Sequence, residues 1–418
     1  MSDVEIVHPV PVEEVAGWAK PMTVTFLGNP TGDAHEKWLD AQRRDWLPDR
    51  FWGARDQGNW VGTLGSWPFR LTVPNSETTV SADGLTMVTV AGTHRRRGLL
   101  TTMLTESLHA ARDRGDAVSI LWAAEWPIYW RFGYAPATTT AYYELNLRSP
   151  GASLRVAGDG SLRQVDGTEL ATVGPPLFAR AVSGIAGNID RPQAWWMRHL
   201  GLGGYPENLY DGKERNHIVH EGSNGVDGYV SWVPGATDPG AEEPTVEVLD
   251  LCAATDTAYR ELWAYLTSLD LVPCIKLHRR PVDEPVRWLL PDGRALRGTY
   301  VADGLWLRLL DVPAALSARR YAVEDRLVVE VVDDDIGGFA AGRYVLDGGP
   351  DGAKCTPSTV DTPDLRVHQR ALAAAYLGGT SLHSQLIAGR VDELTTGALR
   401  RADAMFATPT APWCATGF

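Results

Sequence analysis

From residue 59 the chain alternates. The stretches "NWVGTLGSWPFRLTVP" (59–74) and "TTVSADGLTMVTVAGTH" (78–94) set short runs of Val, Leu, Thr and Trp between Gly, Pro, Asn and Asp. That pattern predicts antiparallel strands. The period then changes: in "GLLTTMLTESLHAARDRG" the apolar residues Leu99, Met103, Leu104, Leu108 and Ala111 recur at three- and four-residue spacings, an amphipathic helix closed by Gly115. A short apolar run, "AVSILWAAE", returns as a buried strand. The predicted order is strand, turn, helix, strand.

Near residue 150 the composition loosens through "RSPGASLRVAGDGS". A second mixed stretch comes next, with the helical "PPLFARAVSG", the strands "GYVSWV" and "TVEVLDLCA" on either side of an acidic, proline-rich loop "PGATDPGAEEP", and the helix "AYRELWAYLTSL". A third begins with "PDGRALRGTYVADGLWLRLLDVPAALSARRY" and carries the strands "RLVVEVVDDD" and "GRYVLDGG" and the helical "QRALAAAYLGG". The expected division is 1–150, 151–294 and 295–418. The fold class is α+β or α/β throughout, and a length of 418 residues is what two or three domains require.

Composition changes this picture in few places. Hydrophobic residues make up 44% and charged ones 22%, as in folded globular chains. The formal charge of −13 repels a polyanion, so nucleic acid is not an expected partner. The four cysteines stand far apart without a CxxC pair, which indicates neither a zinc site nor a disulfide framework. The start "MSDVEIVHPVPVEEVAGWAK" lacks a basic, apolar leader, and no apolar run has membrane length; a cytoplasmic protein is expected.

Against that acidic background "VTVAGTHRRRGLL" (88–100) stands out. A glycine turn feeding a helix presents unpaired N–H groups and partial positive charge, which suits a phosphate. Arg95, Arg96 and Arg97 add donors matched to phosphate oxygens, and Gly98 lets the backbone come close. A row of exposed arginines is equally well read as a solvated patch. Arginine beside the positive end of a helix is unfavourable without an anion, which favours a ligand. Neither GxxxxGK[ST] nor GxGxxG is present.

The turn resembles the acetyl-coenzyme A loop of the GCN5-related N-acetyltransferases: Arg95 and Gly98 match its pattern, while Leu100 stands where a small residue is usual. Together with "IYWRFGYAPAT", "LWLRLLDVPAALSARRY" and a terminal phenylalanine, in order, it is similar to the Eis (enhanced intracellular survival) family over nearly the whole chain. The resemblance implies tandem acetyltransferase domains, the first catalytic and the second degenerate, then a sterol-carrier-protein-like domain whose end reaches the active site. It also implies acetyl-CoA as donor, no metal, and a hexameric homo-oligomer. Met87, Val88 and Val90 would offer backbone groups to pantetheine and acetyl carbonyl, and Arg95, Arg96, Arg97, Gly98 and Leu99 would hold the pyrophosphate.

Acetyl transfer needs a neutral amine, a polarised thioester and a proton for the thiolate. By residue type alone Tyr129 and Tyr134 are equal candidates for the acid; the resemblance assigns it to Tyr129. It assigns the base to the α-carboxylate of Phe418; Glu125, a carboxylate just before Tyr129 that could take the amine proton through water, is the rival. The family acts on aminoglycosides and protein lysines, yet here Gly417 stands where an acid is frequent, and "MTVTFLGNP" has none. Nine of the sixteen tryptophans fall in the first 130 residues. Trp18, Trp38, Trp122 and Trp126, with Glu125, are expected to line an aromatic acceptor pocket. The expected activity is acetyl-CoA-dependent N-acetylation of a small-molecule amine, an aromatic or natural-product intermediate. Aminoglycoside or lysine acetylation is the alternative within the family, and a non-catalytic lipid- or ligand-binding protein the alternative outside it.

Overall fold

The computed structural model describes residues 4–156, 158, 160–202, 215–235, 244–333 and 336–418. Most of the acidic loop at 234–244 lies outside the described residues. Three mixed sheets organise the chain. The first has seven strands in the order Glu5–Val7, Phe51–Asp56, Asn59–Thr72, Thr79–Val90, Val118–Trp122, Leu305–Leu309 and Ala135–Pro136. Only Thr79–Val90 and Val118–Trp122 run parallel, joined by the helix Leu99–Asp113, whose Leu99, Met103, Leu104, Leu108 and Ala111 are buried as the spacing predicts.

The second sheet, also of seven strands, repeats that arrangement around a parallel pair, Thr245–Ala253 and Cys274–Arg280, joined by the helix Asp256–Thr267. The third has five strands and packs its helices on one core with the first sheet. That core runs from Trp67, Phe69 and Ile120 to Leu327, Leu365 and Leu372. Two fully buried arginines join the parts through backbone carbonyls: Arg308 donates to Phe132 and Ile336, and Arg319 to Tyr376 and Phe406. Arg308 also lies 3.8 Å from the buried Asp333 carboxylate, and a guanidinium is buried at tolerable cost when it finds partners of this kind.

Sheet membership does not follow chain order. Thr139–Asn146 leaves the first sheet and pairs with Cys274–Arg280 and Leu296–Asp303 in the second. Leu305–Leu309 returns to pair with Val118–Trp122 in the first. The two crossings touch. The Thr138 hydroxyl accepts the Leu305 N–H at 2.7 Å, and any Cβ at Gly304 would collide with that hydroxyl. The exchanged strands tie the two halves together, so the cavity between them is part of the fold.

Candidate active site

The site begins with a bulge. In the strand Thr79–Val90, Met87 and Val88 together oppose the single residue Leu64, and Met87 takes φ +55. A left-handed non-glycine residue costs about 1–2 kcal/mol, and bulges of this kind re-aim a strand. The Thr63 hydroxyl fixes it by donating to the Met87 carbonyl at 2.6 Å. The parallel ladder to Val118–Trp122 holds only from Ala82 to Gly84, so beyond it the strands part. A cleft of about 870 Å³ fills the opening, walled by the backbone side of Leu85–Val90, by Trp122, and by the helix start.

At the cleft's far end lies the arginine turn. Arg96 and Gly98 both have left-handed backbone, φ +63 and φ +81. Gly98 is the N-cap of Leu99–Asp113 and supplies no side-chain cap, so the first N–H groups of the helix stay available. A Cβ at Gly98 would meet no protein atom; the glycine is required by its φ and not by crowding. Arg95, Arg96, Gly98 and Leu99 line the cleft, whereas Arg97 turns back to the Thr93 carbonyl at 3.4 Å. His94 is held between Asp56 and Thr93 at 3.0 and 2.8 Å, which braces the turn.

The two candidate tyrosines have different surroundings. Tyr134 is fully buried and bonded to Ser119 at 2.6 Å, outside the cleft wall. Tyr129 is buried but lines the cleft, on the short helix Trp126–Trp130. Burial, then the charge of Glu125, pushes its phenol up to about 12, so it keeps its proton at neutral pH. Glu125 lines the same cleft at the N-cap of that helix.

Opposite stands the C-terminal tail. The segment 187–190 first adds to the end of Asn59–Thr72: Gly187 donates to the Thr72 carbonyl at 3.0 Å and Thr72 donates to that of Asn188 at 2.8 Å. Asn188 then grips the tail twice, donating to the Trp413 carbonyl at 2.7 Å and accepting from the Ala415 N–H at 3.0 Å. Arg191 donates to Thr416 at 2.8 Å and to Asp250 at 2.6 Å. Burial alone would raise Asp250, but Arg191 and His199 hold it well below the ordinary carboxylate range. The tail is thus registered on the first sheet. Its Phe418 ring lies 4.8 Å from Phe69, over Gly84, where a side chain would meet both rings.

Phe418 and Trp122 line both this cleft and a second cavity of about 570 Å³ between the halves. The two spaces meet there. Of the other residues expected around an acceptor, Trp18 and Trp38 belong to the apolar core; the Trp18 indole donates to the Trp52 carbonyl at 2.8 Å. Trp126 packs on Trp130 and Trp306 and walls neither space. Sequence reasoning missed Asn188 and Arg191, whose side chains carry no motif. It also missed the arginines of the second cavity, which come from segments far apart in the chain. Among the described residues no group of three His, Cys, Asp or Glu could hold a metal ion, and no helix is long and apolar enough to cross a membrane.

A bulged strand, an uncapped helix after an arginine turn, and strands that part define the acetyltransferase class, and comparison with known proteins agrees. Residues 7–137 and 187–309 each match the acetyltransferase (GNAT) domain, and residues 312–415 match the sterol carrier protein domain. A Streptomyces griseus protein described as an uncharacterized N-acetyltransferase is 37% identical over 423 residues, covering 99% of this chain and 98% of its own. The N-acetyltransferase Eis of Mycobacterium tuberculosis is 34% identical, covering 85% of both. The crystal structure of Eis1 from Mycobacterium abscessus superposes over 100% of both chains with a TM-score of 0.84 and 33% identity. The chain belongs to the Eis family and is an N-acetyltransferase: two GNAT domains followed by a sterol-carrier-like domain.

Proposed function

We propose that the protein transfers an acetyl group from acetyl-CoA directly to the amine of a small molecule. The observation that carries this reading is the meeting of the two spaces at Trp122 and Phe418, beside Tyr129. The first space suits the donor: a long cleft with free strand backbone at one end and helix N–H groups with Arg95 and Arg96 at the other. Backbone groups of Met87, Val88 and Val90 bind the pantetheine arm and polarise the acetyl carbonyl. Arg97 supports the turn from behind.

The chemistry then divides between two residues. The carboxylate of Phe418 accepts the proton of the attacking amine, and Tyr129 gives one to the departing sulfur. A phenol held at about 12 stays loaded through neutral pH, as an acid must. The test pairs calorimetry with kinetics. Arg96→Ala is expected to weaken acetyl-CoA at least about tenfold, or ~1.4 kcal/mol. Tyr129→Phe is expected to lower kcat by about 10²–10⁴ with acetyl-CoA binding preserved. Unchanged binding in the first variant places the donor elsewhere, and unchanged kcat in the second removes Tyr129 from the reaction.

A further inference from the structure

The second cavity is lined by more arginines than side-chain carboxylates. Its described wall contains five arginines, Arg191, Arg198, Arg215, Arg279 and Arg280, and one side-chain carboxylate, Asp250. Arg191 is matched by Asp250 at 2.6 Å and Arg280 by Glu284 at 2.7 Å, and Arg198 and Arg215 have contacts of their own. Arg279 is different. Among the described residues no aspartate or glutamate pairs with it, in contrast to Arg191 and Arg280.

Its position is built by the backbone. The strand Cys274–Arg280 shifts register against Thr139–Asn146 between Leu277 and Arg280, and Arg279 takes φ +53. A regular strand would turn alternate residues away, yet His278, Arg279 and Arg280 all reach the cavity. Left-handed backbone at an arginine is kept only where the surroundings impose it, and such positions cluster at functional sites. The guanidinium sits 5.4 Å over the Trp122 ring, on the wall that both spaces share. Its Nη1 occupies the space beside Gly417 that a side chain there would enter.

Resting on the transfer reading above, we propose that the acceptor is an anionic amine: Arg279 binds a carboxylate carried by the acceptor, while its apolar body packs on Trp122, Trp195 and Trp413. A planar guanidinium pairs with a carboxylate through two parallel bonds, and the same charge repels an ammonium-rich molecule. Binding the acid at Arg279 leaves the amine free to face the donor at Phe418.

The experiment uses the full chain, acetyl-CoA and matched amines that differ by one carboxylate: tryptophan against tryptamine, phenylalanine against phenethylamine, 4-aminobenzoate against aniline, with spermidine and kanamycin as polycations. Thiol release reads kcat/KM. The best acceptors are expected to be carboxylates, at least tenfold above their partners and chiefly through KM. Arg279→Gln is expected to bring each pair within twofold, and Arg279→Lys to restore part of the difference, both with wild-type acetyl-CoA binding. The proposal is overturned if no carboxylate reacts, if the best acceptor lacks an acid, or if the preference survives in Arg279→Gln. Acetyl-CoA binding without acceptor separates the two readings. Its loss in the wild type sinks the transfer reading; its presence beside an adverse panel sinks only the anionic acceptor.

Discussion

In both acetyltransferase halves a strand bulges just past the point where its parallel ladder ends. Met87 and Val88 oppose Leu64 in the first half; in the second, Leu249 is the extra residue between Val248, paired with Trp232, and Asp250, paired with Ser231. The parallel ladders end at Gly84 with Ile120 and at Val248 with Leu277. Past the parting, the halves diverge. In the first half the helix begins uncapped behind an arginine turn and the gap stays open as the cleft. In the second, the Thr255 hydroxyl caps the helix by accepting from Ala258 at 3.1 Å, and Asp227 holds that hydroxyl at 2.8 Å. The gap there receives the C-terminal tail, whose Trp413 indole donates to the Arg279 carbonyl at 2.8 Å. The same backbone device thus frames an open cleft in one half and a socket in the other. The capped half keeps a structural duty: it aims the chain end at the open one.

The strongest way to break this comparison is to empty the socket's output. If the docked tail supplies the base, removing residue 418 is expected to lower kcat by about 10²–10⁴, the range for a positioned acid or base. Acetyl-CoA affinity should stay within twofold, because the donor turn lies at the other end of the cleft. Single-turnover rates alongside calorimetry make the check. Near-normal turnover would reduce the tail to packing and transfer the base to Glu125.

A smaller effect sharpens the contrast between the two helix starts. Gly98→Asp places a carboxylate and a Cβ in left-handed backbone where the anion is proposed to sit, and is expected to weaken acetyl-CoA by about tenfold or more, ~1.4 kcal/mol. Thr255→Ala removes a side-chain cap and is expected to cost about 1 kcal/mol of stability in denaturant unfolding, without altering acetyl-CoA affinity. If Thr255→Ala weakened the donor as much as Gly98→Asp, the two helix starts would not be functionally distinct.

Much of the first half was legible because its determinants are local. The alternating run to Val90, the turn at Arg95 to Gly98 and the 3.6-residue period from Leu99 to Ala111 lie in one continuous stretch, and the structure holds them in that order. The exchange of Thr139–Asn146 and Leu305–Leu309 between sheets was not legible, since pairing across more than a hundred residues is decided by long-range fit. Trp18 and Trp38, expected around an acceptor, lie in the core for a physical reason. An indole is a large apolar surface with one donor, so a buried partner such as the Trp52 carbonyl draws Trp18 into the core as readily as a ligand would draw it to a pocket. The arginines that line the second cavity gave no signal in a chain of net charge −13, because Arg191, Arg198, Arg215 and Arg279 gather only on folding.

The smallest expected effect concerns Glu125, and it decides which side of the junction takes the amine's proton. Burial first, and Glu125 second, raise the Tyr129 phenol to about 12. Replacing Glu125 by glutamine removes the second cause, so the phenol's value falls toward the ordinary one and the proton is lost at a lower pH. With Phe418 as base, kcat of Glu125→Gln near pH 7 stays within about threefold of wild type, ~0.7 kcal/mol. Its alkaline decline, followed from pH 6 to 10.5, begins earlier than in the wild type. A loss of about 10²–10⁴ at neutral pH would instead mark Glu125 as the proton acceptor. The base would then sit within the catalytic domain, and the tail's docking through Asn188 and Arg191 would serve the acceptor cavity alone.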